Sequence, residues 1–215
     1  MRNADKKHKI FQSAKKLILE NGYCRTSVEH ITNAVGIAKG SFYTYYKSKD
    51  DLLEELINST IESRVEALRN IVESSNTLEE AIGNYIRERF SVDFERLENA
   101  LVIVNLHRNI ESLSPEIRRL LVSSEALNNE ILNEIINKFK SKTVASDEEE
   151  IDRLVTFING GIRVYRTSCF FYKNDTDFFI NDINVVMARI EAMDIEKEIK
   201  LISDNIIRLL RGGKV

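Results

Sequence analysis

The 215 residues predict an all-α chain: a three-helix, helix-turn-helix domain over residues 1–48, followed by a larger helical domain over residues 49–215. Three observations carry this. Apolar residues recur at spacings of three and four along most of the chain, the signature of one-sided helices. Helix starts are marked by side-chain oxygens followed by acidic residues. One proline and eight glycines leave few breaks, and a chain that is 43% hydrophobic at this length can bury a substantial core.

The first helix, near residues 5–21, places Ile10, Phe11, Ala14, Leu17 and Ile18 on one face and ends at Gly22. Thr26 followed three residues later by Glu29 has the reciprocal pattern that satisfies free amides at a helix start. Val28, Ile31 and Val35 continue it for about two turns. Gly36 then suits the left-handed residue that closes a helix. After that turn Ile37 and Phe42 point into a small core, which leaves Lys39, Gly40, Ser41, Tyr43 and Tyr45 on the outer side of a second short helix. Lysine neutralises phosphate, hydroxyls bond phosphate oxygens, and a glycine lets the backbone approach a duplex closely.

Ser48 reads as the N-cap of a third element, with Asp50 and Asp51 in its first turn, where acids favour the helix dipole. Lys49 opposes that dipole, a useful position if a phosphate docks on the helix N-terminus. From Lys49 the periodicity runs through Leu52, Leu53, Leu56, Ile57, Ile61, Val65, Leu68 and Val72. That is a helix of about 25 residues and roughly 37 Å.

These residues resemble a family. Ile31, Gly36-Ile37, Lys39-Gly40-Ser41-Phe42-Tyr43 and Tyr46-Lys47-Ser48-Lys49 with Leu52 are similar to the N-terminal domain of TetR-type (tetracycline-repressor-like) transcriptional regulators. The resemblance covers roughly residues 8–56. It implies an all-helical homodimer that binds a palindromic double-stranded DNA operator, usually as a repressor, and is released by a small-molecule effector. Position by position it assigns DNA contact to Thr26, Ser27, Lys39, Gly40, Ser41, Tyr43, Tyr45 and Lys49, and core positions to Phe42 and Tyr46. It also implies that the long helix relays movement of the effector domain to the DNA reader. Ala38 stands where the family pattern often has serine or threonine, so it supplies no side-chain cap to the recognition helix.

Charge is divided the same way. Residues 1–50 hold 10 Lys and Arg against 4 Asp and Glu, whereas residues 51–215 hold 21 against 30. A basic end on an acidic body favours one orientation towards a polyanion.

Three more helix starts follow. Thr77 with Glu80 opens a helix running through Ile82, Tyr85, Ile86, Phe90, Leu97 and Leu101; Ser114-Pro115-Glu116 opens one through Phe139; Ser146 with Glu149 opens one through Tyr165. Lys173-Asn174-Asp175-Thr176 reads as a turn. Phe178 to Met193 has local strand character but no partner strand, and is read as helix with a break near Asp194; Gly212-Gly213 closes the last helix.

Gly160-Gly161 lies inside a strong helical run, at a cost of about 2 kcal/mol against alanine. Close approach of another helix accounts for it, and the resemblance places a dimer-forming four-helix bundle at this helix and the last one. A kink opening a pocket is the other reading. An effector pocket needs apolar walls with a few fixed polar groups. Tyr85, Phe90, Phe94, His107, Phe157, Arg163 and Tyr165 are the candidates, Arg163 either for an acidic ligand or as the partner of a glutamate.

The three histidines are too far apart for a metal site, and neither a phosphate loop nor a nucleophile elbow is present. No enzyme, metal or cofactor is expected. Two separated cysteines suggest a reducing cytoplasm, and no apolar run of roughly 18 residues suggests a membrane span. The alternative to a DNA-binding regulator is a helical protein-interaction module, whose docking helix would show an apolar stripe.

Overall fold

The computed structural model describes residues 3–145, 147–172 and 182–213. Within them lie ten α-helices: α1 (Asn3–Asn21), α2 (Val28–Val35), α3 (Lys39–Phe42), α4 (Lys49–Ser74), α5 (Leu78–Phe90), α6 (Phe94–Arg108), α7 (Pro115–Lys138), α8 (Glu148–Phe171), α9 (Ile183–Glu191) and α10 (Ile195–Leu210). No strand occurs among the described residues. The chain forms two compact units that do not divide at residue 48. One comprises Met1–Glu62 and Asp93–Ser124, the other Ser63–Val92 and Glu125–Val215.

The first unit has two cores. Ile10, Ala14, Ile31, Phe42, Tyr46 and Leu52 hold α1, α2, α3 and the start of α4 together. Ile18, Tyr23, Leu53, Leu56 and Ile57 pack instead on Val102 and Leu106 of α6 and on Leu113, Ile117 and Leu121. Each large aliphatic or aromatic side chain so buried contributes about 1.5–3 kcal/mol. Lys15 on α1 is buried and pairs with Glu98 on α6 at 2.5 Å, so this lysine is withdrawn from the basic surface.

The single helix expected across Phe90 to Leu101 is two helices. Asp93 interrupts it, its carboxylate accepting from the Arg96 amide at 2.8 Å and so capping α6. The cap of α8 is Asp147, which accepts from the Glu150 amide at 2.8 Å; the expected cap, Ser146, lies outside the described residues. So do the turn at Lys173-Asn174-Asp175-Thr176 and the stretch from Phe178 to Asn181. The break at Asp194 is present, with Asp194 accepting from the Lys197 amide to cap α10.

In the second unit α5 packs along α10, and Arg87 pairs with Glu196 at 2.9 Å. Lys138 donates to the carbonyls of Val72 (2.6 Å) and Ser75 (2.8 Å), where a cation complements the negative end of α4. Gly212 has φ 67°, and a Cβ there would meet Val144 Cγ1 at 2.7 Å, so both conformation and space require glycine.

Candidate nucleic-acid interface

The helix-turn-helix is built from short-range bonds. Ser27, in extended conformation, caps α2: its Oγ accepts from the His30 amide at 3.1 Å. His30 turns its ring back so that Nδ1 lies 2.9 Å from the Arg25 carbonyl and 3.4 Å from the Ser27 amide. The start of α2 thus sits one residue later than the Thr26/Glu29 pattern implied, with histidine in the role expected of the glutamate. Gly36 closes α2 at φ 74°, ψ 37°, its amide donating to Asn33 O (3.1 Å) while Ile37 N donates to Thr32 O (3.0 Å).

Ala38 starts α3 with no side-chain cap, as its methyl group dictates. Only the backbone turn holds this start, Ser41 N donating to Ala38 O at 2.8 Å. Helix α3 is a single turn, and Phe42 anchors it. That ring is fully buried, 5.6 Å from Tyr46 and 5.5 Å edge-on to Tyr43. With Phe42 inward, Lys39 and Gly40 are exposed, Ser41 partly so, and Tyr43 is 51% exposed. Nothing lies within 4 Å of where a Cβ on Gly40 would stand. Thr44 and Lys47 extend the same exposed polar run, although neither is among the contact residues expected from the sequence.

Three expected contact residues are placed differently. Thr26 is buried, its hydroxyl lying between the carbonyls of Leu17 (3.1 Å) and Gly22 (2.9 Å), where it ties the α1–α2 loop. Tyr45 packs partly against the Phe42 core. Lys49 turns back: its Nζ donates to Tyr23 O (3.0 Å) and Thr26 O (2.9 Å) and stands 3.7 Å above the Tyr23 ring. Burial lowers its pKa, against the opposing pull of Asp50. The reason is competition at a helix start. Two buried carbonyls and an aromatic face offer this cation more than the like-signed end of the α4 dipole. Ser48 caps α4 as expected, accepting from the Asp51 amide at 3.0 Å.

The effector candidates do not converge. Phe94, exposed, and His107 belong to the first unit. Tyr85 and Phe90 are buried in the second. Phe157 and Tyr165 line an open groove of α8 and α10 together with Gly161, Leu201 and Leu209, and Arg163 is exposed. Helix α8 runs unbroken through Gly160 and Gly161, and a Cβ on either would meet nothing within 4 Å. Among the described residues no cluster of three or more His, Cys, Asp or Glu is placed to hold a metal, and no helix is long and apolar enough to cross a membrane.

Comparison with known proteins agrees with this geometry. Residues 10–56 match the model of bacterial regulatory proteins of the tetR family. A fatty acid metabolism regulator protein of Bacillus subtilis is 30% identical over 83 residues, 39% of this chain and 43% of the relative. The chain thus matches less than half the length of that relative. The negative transcriptional regulator IcaR of the biofilm operon in Staphylococcus epidermidis is 24% identical over 69% of this chain and 77% of its own. Among solved structures, the fatty acid degradation regulator FadR from Bacillus halodurans superposes with a TM-score of 0.68 at 20% identity, covering 98% of this chain and 99% of that one. The relatives named here are transcriptional regulators, and it is the helix-turn-helix segment, residues 10–56, that matches the tetR-family model.

Proposed function

We propose that the chain is a dimeric transcriptional repressor that docks α3 and its flanking turn against a DNA operator and releases it when a small molecule binds the second unit. One observation carries the DNA reading: Phe42 is fully buried while Lys39, Gly40, Ser41 and Tyr43 face outwards from the same turn. An outward set of lysine, hydroxyls and bare backbone suits phosphate and groove edges. A partner-docking helix would show an apolar stripe there instead. Lys39, Gly40, Ser41 and Tyr43, with Ser27 at the α2 start, form the contact set; Thr44 and Lys47 join it by exposure.

Repression is supported by the likeness to the Staphylococcus relative, a negative transcriptional regulator. Dimerisation is supported by the α8–α10 face, where Phe157 is 72%, Val164 61% and Leu201 51% exposed around the glycine pair. A contiguous apolar face of this kind seeks a partner. A second copy satisfies it through a two-fold interface in which each Gly161 admits the facing helix.

Fluorescence anisotropy with DNA flanking the protein's own gene, over a salt series, tests the reading. The expectation is sequence-selective binding whose affinity falls steeply with salt. Salt-insensitive or absent binding, there and in an unbiased operator selection, rejects it in favour of the protein-interaction module.

A further inference from the structure

Four helices of the second unit bring polar side chains to one interior place: Arg64 from α4, Tyr85 and Arg89 from α5, Asn128 and Asn129 from α7, and Asn159 and Arg166 from α8. The Tyr85 hydroxyl donates to Asn159 Oδ1 at 2.6 Å and lies 3.2 Å from the Asn128 carbonyl. Asn159 Nδ2 donates to Asn128 O (3.0 Å) and Asn129 Oδ1 (2.9 Å). Arg64 Nη2 donates to Asn128 Oδ1 (3.3 Å), and Arg166 Nη1 to the Arg89 carbonyl (2.9 Å). The acceptors in these bonds are amide and carbonyl oxygens.

Arg89 and Arg166 each have an enclosed donor left idle. Arg89 is only 2% exposed, yet its Nε, like the enclosed Nε of Arg166, has no hydrogen-bond partner among the described residues. Among the described residues Arg89 and Arg64 repel the Arg166 guanidinium, and Glu125 and, more weakly, Tyr85 favour its charge. Burial first, then the two neighbouring arginines, push the Arg166 pKa down to about 9. A protein does not bury guanidinium groups with idle donors without cost, and an anion relieves both the idle donors and the repulsion. The surroundings limit the anion. Phe90 follows Arg89 in sequence, Phe170 stands one turn beyond Arg166, and their rings meet edge to face at 5.8 Å, with Phe171 packed behind. An aromatic cluster next to the two arginines on α5 and α8 favours an apolar body over an inorganic ion.

We infer that Arg89 and Arg166, supported by Arg64, form the anion-recognition part of the effector site and take the carboxylate of an apolar organic acid. A planar guanidinium matches a carboxylate with two parallel donors. The inference rests on the reading of the second unit as an effector domain and specifies the effector's chemistry.

The test is thermal melting of the full chain with octanoate, decanoate or benzoate, and with decanol and inorganic phosphate as controls. At least one carboxylate is expected to raise the melting temperature saturably, as ligand linkage requires, while decanol and phosphate do not. Arg89→Met and Arg166→Met are each expected to weaken that carboxylate about tenfold or more, whereas Arg163→Met, on the exposed side of α8, leaves it unchanged. Without ligand the two Met variants are expected to melt no lower than the parent, since each loses an ill-compensated buried charge. No saturable shift with any of the three acids, an equal shift in the Met variants, or a shift with phosphate alone overturns the assignment. Should Arg89→Met fail to fold, Arg89→Lys replaces it: it keeps the charge and loses the fork, and undiminished carboxylate binding in it counts against the inference. DNA binding is measured separately on the same samples. A protein that binds DNA but ignores the acids sinks this inference alone, and one that binds an acid but no DNA sinks the regulator reading.

Discussion

Lys49→Met separates two roles for a residue that the family pattern assigns to DNA and the structure turns inwards. The substitution keeps most of the aliphatic stem and removes the ammonium. What is lost is two charge-assisted hydrogen bonds, to Tyr23 O at 3.0 Å and Thr26 O at 2.9 Å, and the stacking of Nζ 3.7 Å above the Tyr23 ring. Hydrogen bonds to charged groups contribute roughly 1.5–3 kcal/mol each when well enclosed, and an exposed cation–π contact about 0.5–1 kcal/mol. Lys49 is only half-buried, and desolvation opposes it, so solvent screening brings the loss below the low-end sum of about 3.5 kcal/mol. The expected loss is about 2–3 kcal/mol of unfolding free energy, read as a lower urea midpoint at unchanged slope.

The paired measurement is operator affinity under conditions where every variant is folded. Lys39→Met, which removes an exposed cation from α3, is expected to weaken binding about tenfold and to reduce the salt slope by about one. Lys49→Met is expected to leave the salt slope unchanged. If Lys49→Met is as stable as the parent and loses both affinity and slope in step with Lys39→Met, the inward reading is wrong and this lysine reaches phosphate.

Further expectations concern other parts of the chain. Phe157→Glu places a charge on the exposed α8–α10 face and is expected to convert dimer to monomer in sedimentation measurements without changing helicity; a dimer of undiminished affinity would falsify that interface. Asn159→Leu removes the shorter of the two acceptors of the buried Tyr85 hydroxyl and the donors to Asn128 and Asn129, and is expected to cost about 3 kcal/mol in urea unfolding. A loss under about 1 kcal/mol would mean that the amide network is not enclosed. Tyr23, facing Asp50 and Lys49, and Tyr46, facing Glu55, Asp51 and Lys7, both have pKa values raised above the ordinary 10, chiefly by burial. Above pH 10 the unfolded tyrosines ionise while the folded ones keep their protons, so the folded state binds more protons and stability falls as pH rises. The double variant Tyr23→Phe/Tyr46→Phe is expected to lose stability less steeply between pH 10 and 12, and an identical slope contradicts the assignment.

Periodicity and caps made most of the helices legible, because both are local. Ser48, Gly36, Ser114-Pro115 and the break at Asp194 act within four residues of themselves. The misreadings arose where two local patterns competed or a distant group decided. Thr26 and Ser27 both offer a capping oxygen; the carbonyls of Leu17 and Gly22, brought close only by the fold, claim the first and leave the second to cap α2. Phe90 to Leu101 keeps helical spacing across Asp93, so periodicity alone reads straight through a cap.

The candidate sites show the same limit in a stronger form, since a long cation has several places to go and sequence spacing does not choose among them. Lys49 is at the position expected of a phosphate contact, but Tyr23 lies within reach and wins it. On α8 the sequence points to Arg163, in the middle of the apolar run, as the arginine for an acidic ligand or a glutamate. Three residues on, about 300° of helical rotation away, Arg166 is the one whose Nε is enclosed. What identifies Arg166 is not its neighbours on α8 but Arg89 and Arg64 from two other helices, residues that read separately as ordinary charges on solvated faces. Their convergence is a long-range fact. On the proposed assignment the effector's charge falls to α5 and α8, Phe157 and Tyr165 are left to the apolar face on the same helix, and α8 becomes the element through which occupancy of the anion site would bear on dimer packing. Phe157→Glu and Arg166→Met therefore should not combine additively in carboxylate affinity, and a double-mutant cycle giving no coupling would separate the two functions of that helix.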